Sequence, residues 1–283
     1  MSLEDAKREA GDLRQPLSSV LNAPDTVYHY TSAAALMGIA QSRSLWCSNI
    51  AYSNDPGESR YAWTLIEQIL RENLDHATCK FIQLMMPHFT YYGASFSGER
   101  DLLQQWREYC ADGQGVAIGV RTAILRTHEK FMFGRVEYDQ ISQERIALKM
   151  VKIFAPYFNV PHNTPAFHAA SVALGMNLAV LNGMFKSSAY SVEQEYRLFR
   201  ISTVGEDALD ENVQYRAMQN AIVPYRVMRF DDALAYNQVP ALANVVVGPC
   251  LEYETFSSAV RMLLGRLWPN TLVEQSNVKM RRV

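Results

Sequence analysis

A stretch of alternating residues late in the chain constrains the fold most. Residues 185–201, FKSSAYSVEQEYRLFRI, open as a polar loop and continue with the alternation of a β-strand. Successive side chains of a strand point to opposite faces, so we expect Glu193, Glu195 and Arg197 to share one face. Two carboxylates placed in this way repel each other unless a cation, a hydroxyl-rich ligand or water lies between them. The pair indicates either a solvated strand end, with Arg197 neutralising Glu195, or a site that stabilises positive charge on a sugar.

The remaining chain predicts an α+β fold with a central mixed or antiparallel sheet. Residues 1–24 are expected to form a polar N-terminal arm with one helical turn, and residues 25–283 a single domain. Strand patterns recur through that domain, and a helical insertion is expected at about 142–182. The glycines between 113 and 119 precede and interrupt a strand, whereas a dinucleotide-binding loop follows a strand and opens a helix. They therefore predict a turn into a core strand.

Composition excludes several classes of protein. The chain has 283 residues, 48% of them apolar, and a formal net charge of -2, so it has no global basic footprint for nucleic acid. Its four cysteines lie far apart without a Cys-x-x-Cys pair, which speaks against a zinc ribbon and a disulfide-stapled secreted domain. No signal-like segment and no apolar run of membrane-spanning length is evident. We expect a soluble cytoplasmic protein with no membrane partner.

Few side chains remain as candidates for chemistry. No histidine pair has the spacing of a zinc signature, and the Gly-x-Ser-x-Gly elbow of serine hydrolases is missing, so no metal site is predicted. The remaining candidates are His29, the pair Ser95 and Ser97, and the pair Glu193 and Glu195, each on a predicted strand. His29 could equally be a hydrogen-bonded core residue, and the serines could mark a strand end.

Several short motifs resemble those of a bacterial family, the domain of unknown function 2971, over about residues 26–267. In chain order the motifs are Tyr28-His29-Tyr30-Thr31, Asn54-Asp55-Pro56-Gly57-Glu58, Ser95-Phe96-Ser97, Trp106-Arg107-Glu108-Tyr109, Gly115-Val116-Ala117-Ile118-Gly119, Glu193-Gln194-Glu195-Tyr196-Arg197 and Val245-Val246-Val247-Gly248-Pro249. The family name carries no activity.

The order of His29, Ser-x-Ser and Glu-x-Glu also resembles that of ADP-ribosyltransferases, including branches that modify nucleic acids. The long gaps between these motifs require helical insertions. Such enzymes use NAD as substrate, and nicotinamide leaves through an oxocarbenium-like ribose. The resemblance implies that Glu195 binds the ribose 2′-hydroxyl and stabilises the cation. It implies that Glu193 orients the acceptor nucleophile.

The same resemblance implies a set of side chains around the nucleotide. His29 would hold a ribose hydroxyl, the two serines would shape the nicotinamide pocket, and an aromatic ring would stack on nicotinamide. The residues so implied are His29, Tyr30, Thr31, Ser95, Phe96 and Ser97.

Three functions stay open on the sequence. The first is NAD-dependent ADP-ribosyl transfer, or NAD cleavage, in a toxin or defence role with an unidentified protein or nucleic acid as acceptor. The second is a non-catalytic module that binds a nucleotide or a partner protein. The third is a metal-dependent nuclease that would use Asp55, Glu58 and the two glutamates.

Overall fold

The computed structural model describes residues 2–18, 23–52, 58–218 and 221–280. In these residues the strands are β1 (Thr26–Thr31), β2 (Ser44–Asn49), β3 (Phe89–Ser97), β4 (Val116–Arg121), β5 (Met132–Arg135), β6 (Glu195–Thr203), β7 (Val213–Met218), β8 (Ala221–Arg229), β9 (Leu242–Val247) and β10 (Leu272–Gln275). The α-helices are α1 (Leu3–Ser18), α2 (Ala33–Ser42), α3 (Glu58–Asn73), α4 (His76–Met85), α5 (Leu103–Tyr109), α6 (Thr122–Arg126), α7 (Gln140–Phe154), α8 (Pro165–Met184), α9 (Val204–Leu209) and α10 (Tyr253–Leu267).

The described strands form one mixed sheet. Its main path runs β10-β9-β4-β1-β3-β2-β8-β7, and β6 pairs with both β3 and β5. The named pairs in the described residues are antiparallel except β9 with β10, which is parallel. The predicted class, α+β with a central mixed or antiparallel sheet, is confirmed.

Strand β3 is the centre of the sheet because three strands pair with it. β6 pairs with β3 along its whole length. A strand has two edges, so β1 and β2 share the other one, with β2 pairing at Gly93 and β1 at Ser97. Between these two points the Ser95 carbonyl accepts a hydrogen bond from His29 Nδ1 at 2.9 Å. His29 therefore satisfies a backbone carbonyl of β3 at the point where β1 and β2 diverge.

Helices cover both faces of the sheet. One face packs against α2 and α10 in a cluster that includes Val27, Leu36 and Leu264. The other face packs against α1, α3, α4, α7 and α8. Because side chains alternate along β6, Leu198 belongs to the first cluster and Phe199 to the second. Helices α7 and α8 occupy the region predicted as a helical insertion.

The N-terminal segment is more helical than the sequence suggested. Helix α1 spans 16 residues, where a polar arm with one turn was predicted. Ala6 and Ala10 lie four residues apart on one face and are fully buried against the second cluster. Alanines leave little apolar signal in a polar sequence, which explains the difference. The division into an arm at 1–24 and a domain at 25–283 remains a prediction.

Helix α8 corrects a second expectation. By length and composition this helix could cross a membrane, although 78% of its apolar window is buried inside the protein. Its apolar residues pack in the second cluster, among them Phe167, Leu174 and Leu181. The helix is strongly apolar because most of its residues are buried against other helices and the sheet, while Val172 and Met176 remain exposed. A cytoplasmic location remains a prediction.

Substitution of Gly115 tests the close packing before β4, and Gly38 in α2 provides the matched control. A Cβ on Gly115 would lie 2.2 Å from the Thr31 carbonyl oxygen, whereas a Cβ on Gly38, inside α2, meets nothing within 4 Å. We expect Gly115→Ala to lower the free energy of unfolding by about 1–3 kcal/mol, because backbone must shift. Gly38→Ala should raise it by about 0.8–1 kcal/mol through helix propensity. Urea unfolding measures both, and a Gly115→Ala protein as stable as wild type would contradict this packing.

Candidate functional site

A cavity of about 540 Å³ lies against the sheet where β2, β3 and β6 run side by side. Its wall includes Ser95 of β3 and Glu195 of β6, together with Glu193. The segment that follows α8 contributes Lys186, and α5 contributes Tyr109. Two of the three motifs that the sequence singled out therefore meet at one cavity.

Glu193 does not lie on the strand, which corrects the sequence expectation. It ends a 3-10 helix over Ser188–Glu193, and β6 begins only at Glu195. Gln194, between them, has φ 45° and turns the chain in the left-handed region. The turn is held because Ser97 Oγ donates to the Glu193 carbonyl at 2.7 Å. The two glutamates therefore reach the same cavity from a turn and a strand, not from one pleated face.

Four charged side chains form a compact ionic network at the cavity wall. Lys186 Nζ lies 2.8 Å from Glu193 Oε2 and 3.2 Å from Glu195 Oε2. Arg197 grips Glu195 with both Nε, at 2.7 Å, and Nη2, at 2.9 Å. Its Nη1 also donates to the Gly183 carbonyl at 2.7 Å. We call Lys186, Glu193, Glu195 and Arg197 the ionic quartet; its two carboxylates and two cations balance in charge.

Burial makes this network costly to break. All four residues of the ionic quartet are at most 7% exposed, so the interpretation of Glu195 as part of a solvated strand end is wrong. The other half of that interpretation, neutralisation by Arg197, is what the contacts show. Removing one member of a buried ion pair leaves an unpaired charge in a low-dielectric site. Replacing any one residue of the ionic quartet by a neutral one should therefore destabilise the folded protein.

The electrostatics follow from this burial. Burial raises the pKa of the Glu195 carboxyl, and the Lys186 ammonium and the Ser95 hydroxyl offset part of the rise. Burial alone would lower the pKa of Lys186, but the Glu195 and Glu193 carboxylates outweigh it and raise that pKa. Burial lowers the pKa of Arg197 to about 10, so both cations stay protonated at neutral pH.

The two serines of the Ser-x-Ser motif have different surroundings. Ser95 lines the cavity on the same face of the sheet as Glu195, and its hydroxyl lowers the pKa of the Glu195 carboxyl. The Ser97 hydroxyl, only 1% exposed, is used within the protein: it donates to the Glu193 carbonyl and accepts from the Glu99 backbone N–H at 3.1 Å. Ser95 is thus the serine that a ligand can reach, and Ser97 positions the turn.

The residues implied on β1 do not join this site. Tyr28 pairs with Ser97 and Ser97 with Glu195, so directly opposed side chains place those three on one face and His29 on the other. The His29 ring lies 5.7 Å from the Phe96 ring, among residues of the first cluster. Burial lowers the pKa of His29. The structure does not bring His29 and Phe96 to the cavity.

Tyr30 and Thr31 are likewise engaged elsewhere. The Tyr30 hydroxyl donates to the Glu99 carbonyl at 2.8 Å and accepts from the Leu102 N–H at 2.9 Å. Its ring contacts Trp106 edge-on, with ring centroids 4.9 Å apart. Thr31 pairs with Val116 of β4 and is not among the residues at the cavity wall. Both residues anchor β1 to its surroundings.

Lys186, the cation that lies between the two glutamates, was not predicted from the sequence. Lys186 follows two apolar residues and precedes Glu193 by seven positions, and the segment between them is neither one α-helix nor one strand. Its backbone is fixed because the Lys186 N–H donates to the Glu137 carbonyl at 3.1 Å and its carbonyl accepts from Gln143 Nε2 at 2.9 Å. The only signal was physical: two close carboxylates require a cation.

The groups required by the nuclease hypothesis are not all described. Asp55 lies outside the described residues, and so does the side chain of Glu58. Among the described residues no group of three or more His, Cys, Asp or Glu side chains is placed to hold a metal ion. Glu193 and Glu195, which the nuclease hypothesis also uses, form ion pairs with Lys186 and Arg197.

Comparison with known proteins finds one family model that matches part of the chain, and it indicates no activity. The model of the family described as protein of unknown function (DUF2971) matches residues 105–198. This confirms the family resemblance over that stretch, which contains Tyr109 and the whole ionic quartet. No match was found among the curated proteins or among the solved structures. The resemblance to ADP-ribosyltransferases remains a prediction.

Proposed function

We propose that the cavity binds NAD and that the protein cleaves its nicotinamide–ribose bond, transferring ADP-ribose to a macromolecule or to water. The observation that carries this proposal is that Ser95, Glu193 and Glu195 meet at the wall of one cavity. It supports the expectation that the Ser-x-Ser and Glu-x-Glu motifs work together. The volume of about 540 Å³ falls within the range of small-molecule sites.

In the proposed reaction the C1′–N bond breaks and nicotinamide departs as a neutral molecule with the bonding electron pair. The ribose becomes oxocarbenium-like, and a nucleophile attacks C1′ and gives up a proton. A buried carboxylate stabilises this cation strongly, because little water screens it. Glu195 stabilises the cation and accepts a hydrogen bond from the ribose 2′-hydroxyl, while Glu193 orients the nucleophile.

The ionic quartet must rearrange for Glu195 to act in this way. Lys186 is nearer to Glu193, at 2.8 Å, than to Glu195, at 3.2 Å, and its ammonium also lies 4.8 Å from the Tyr190 ring. A lysine side chain is flexible, so Lys186 can stay with Glu193 and Tyr190 while the ribose hydroxyl takes its place at Glu195 Oε2. Arg197 keeps its grip and holds the carboxylate in position.

The experiment is incubation of the purified protein with NAD labelled in the nicotinamide and, separately, in the adenosine half. The proposal predicts release of free nicotinamide. In the presence of a lysate it also predicts adenosine label on protein or nucleic acid. Intact NAD after prolonged incubation under both conditions would rule the proposal out.

A second candidate function is a non-catalytic pocket for a nucleotide or another polar ligand. The specific observation in its favour is that both oxygens of Glu195 are already held by cations. Calorimetry separates the two: saturable NAD binding with no nicotinamide release indicates the binding module.

The pH dependence of the reaction provides a test of the role of Lys186. Nicotinamide release should fall on the acid side with a midpoint above 4.5, the ordinary value for glutamate, because burial raises the pKa of Glu195. The Lys186 ammonium lowers that pKa, so Lys186→Gln should move the midpoint to still higher pH. Lys149→Gln, at an exposed site on α7, serves as the control and should leave it unchanged. A Lys186→Gln midpoint equal to or below that of wild type would contradict the assignment.

A further inference from the structure

An exposed tryptophan lies beside the cavity. Trp46 on β2 is 49% exposed, which is unusual for so large an apolar ring. Tyr225 of β8 supports it, with the two rings stacked at a centroid distance of 4.6 Å and an interplanar angle of 28°. The Arg216 guanidinium of β7 lies 5.9 Å from the centre of the Trp46 ring. We call Trp46, Tyr225 and Arg216 the aromatic platform.

The aromatic platform continues the cavity wall. Arg216 Nη2 donates to Ser48 Oγ at 2.8 Å, and both residues line the cavity. Opposed side chains in antiparallel pairs share a face. Ser48 pairs with Tyr225 on one side and with Gly93 on the other, and Gly93 pairs with Phe199 of β6. The platform and Glu195 therefore lie on one face of the sheet.

The charges along this face differ between its two ends. The ionic quartet balances its own charges at the inner end. At the outer end Arg216 forms no ion pair with a carboxylate in the described part of the chain. A guanidinium with only a neutral serine as partner is available to an anion, and phosphate is the anion that suits its fork of donors. The outer end thus offers a stacking surface and a phosphate contact side by side.

The spacing of the strands indicates the size of ligand. β6, β3 and β2 are successive neighbours, so two steps of about 4.8 Å separate the strand of Glu195 from that of Trp46 and Ser48 by roughly 10 Å, and Tyr225 lies one strand further. A dinucleotide joined by phosphates can span this distance, with one ribose at Glu195 and the other nucleoside on the aromatic platform. We propose that the aromatic platform binds the nucleoside diphosphate half of the dinucleotide, with the base stacked on Trp46 and a phosphate at Arg216. This deepens the proposed function and shares its cavity.

Titration of the full-length protein with ADP tests the platform without any reaction. Calorimetry should show that Trp46→Ala weakens ADP binding by roughly 5- to 100-fold, the effect of losing one base-stacking ring. Trp46→Phe should recover most of the loss because it keeps a stacking face. Arg216→Ala should weaken binding by about tenfold or more through the lost phosphate contact. Melting temperatures of all variants show whether each one is folded.

Two control variants match these substitutions. Tyr215 is 64% exposed and adjacent to Arg216, but alternation places it on the opposite face of β7, so Tyr215→Ala should bind ADP as wild type does. Arg266 is exposed on α10, and Arg266→Ala should also have no effect. Equal ADP affinity of wild type and a folded Trp46→Ala protein, or no ADP binding at all, would overturn the inference.

A single-stranded oligonucleotide distinguishes the other source of a base and a phosphate. Trp46-dependent binding of a mixed ten-residue RNA, with no binding of ADP, would overturn the dinucleotide assignment in favour of a nucleic-acid strand. Nicotinamide release separates this inference from the function it rests on. Trp46-dependent ADP binding without nicotinamide release would leave the platform standing and remove the proposed reaction. Nicotinamide release by Trp46→Ala with an unchanged KM for NAD would support the proposed reaction and remove the role of the aromatic platform.

Discussion

Replacing Glu195 by glutamine is expected to reduce nicotinamide release from NAD by a hundredfold or more. The amide keeps the size of the side chain but carries no charge to set against the oxocarbenium-like ribose. A preorganised group of this kind contributes on the order of 3 kcal/mol to the barrier, which corresponds to that factor in rate. Initial rates at saturating NAD measure the effect on kcat, where a transition-state interaction shows itself.

The ionic quartet makes the controls for this variant specific. Glu195→Gln leaves Lys186 and Arg197 with one carboxylate between them, so folding must be measured beside activity. The double variant Glu195→Gln/Lys186→Gln restores the charge balance and should be equally inactive. Glu211→Gln, at an exposed turn, should match wild type. If Glu195→Gln melts like wild type and turns over NAD at the same rate, Glu195 has no part in the chemistry.

Replacing Arg197 by methionine is expected to lower the free energy of unfolding by about 3–5 kcal/mol. Arg197 is 7% exposed, and its guanidinium holds both Glu195 oxygens and the Gly183 carbonyl. Methionine fills similar space but donates no hydrogen bond to the Glu195 carboxylate or to the Gly183 carbonyl. Urea unfolding measures the change, which is a large part of the stability of a typical domain.

A double-mutant cycle separates the ion pair from packing. The double variant Glu195→Gln/Arg197→Met should lose far less free energy of unfolding than the two single variants added together. The reason is that Glu195→Gln removes the carboxylate that Arg197→Met leaves unpaired. Arg266→Met on the exposed face of α10 should change stability by less than about 0.5 kcal/mol. Additive effects at Arg197 and Glu195 would show that their contact does not carry the stability.

The sequence was sufficient for the strands on which the site is built. The β-rich segment at 90–97 and the alternation at 193–201 predicted two strands; these pair as β3 and β6, of which β6 begins only at Glu195. The adjacency of Ser-x-Ser and Glu-x-Glu therefore reflects local pattern and register. The apolar run at 116–120 was likewise a strand buried on both faces. Such features depend on period and burial, which a single sequence carries.

The parts that could not be predicted depend on single backbone conformations and long-range contacts. A left-handed conformation at Gln194 is rare for a residue other than glycine, and it removes Glu193 from the strand. The face on which His29 lies depends on the register of β1 against β3, which is set by the whole sheet. Lys186 joins the ionic quartet through the fold and not through any period. These three facts separate the site as found from the site as expected.

A crystal structure of the protein with an NAD analogue that resists cleavage would show whether Glu195 binds the ribose. We expect the nicotinamide ribose in the cavity, its 2′-hydroxyl within about 3.2 Å of a Glu195 oxygen, with Lys186 moved to Glu193 alone. A ribose bound elsewhere, or a ligand in the cavity with Glu195 still held by both Lys186 and Arg197 and no sugar hydroxyl beside it, would rule out the proposed role of Glu195.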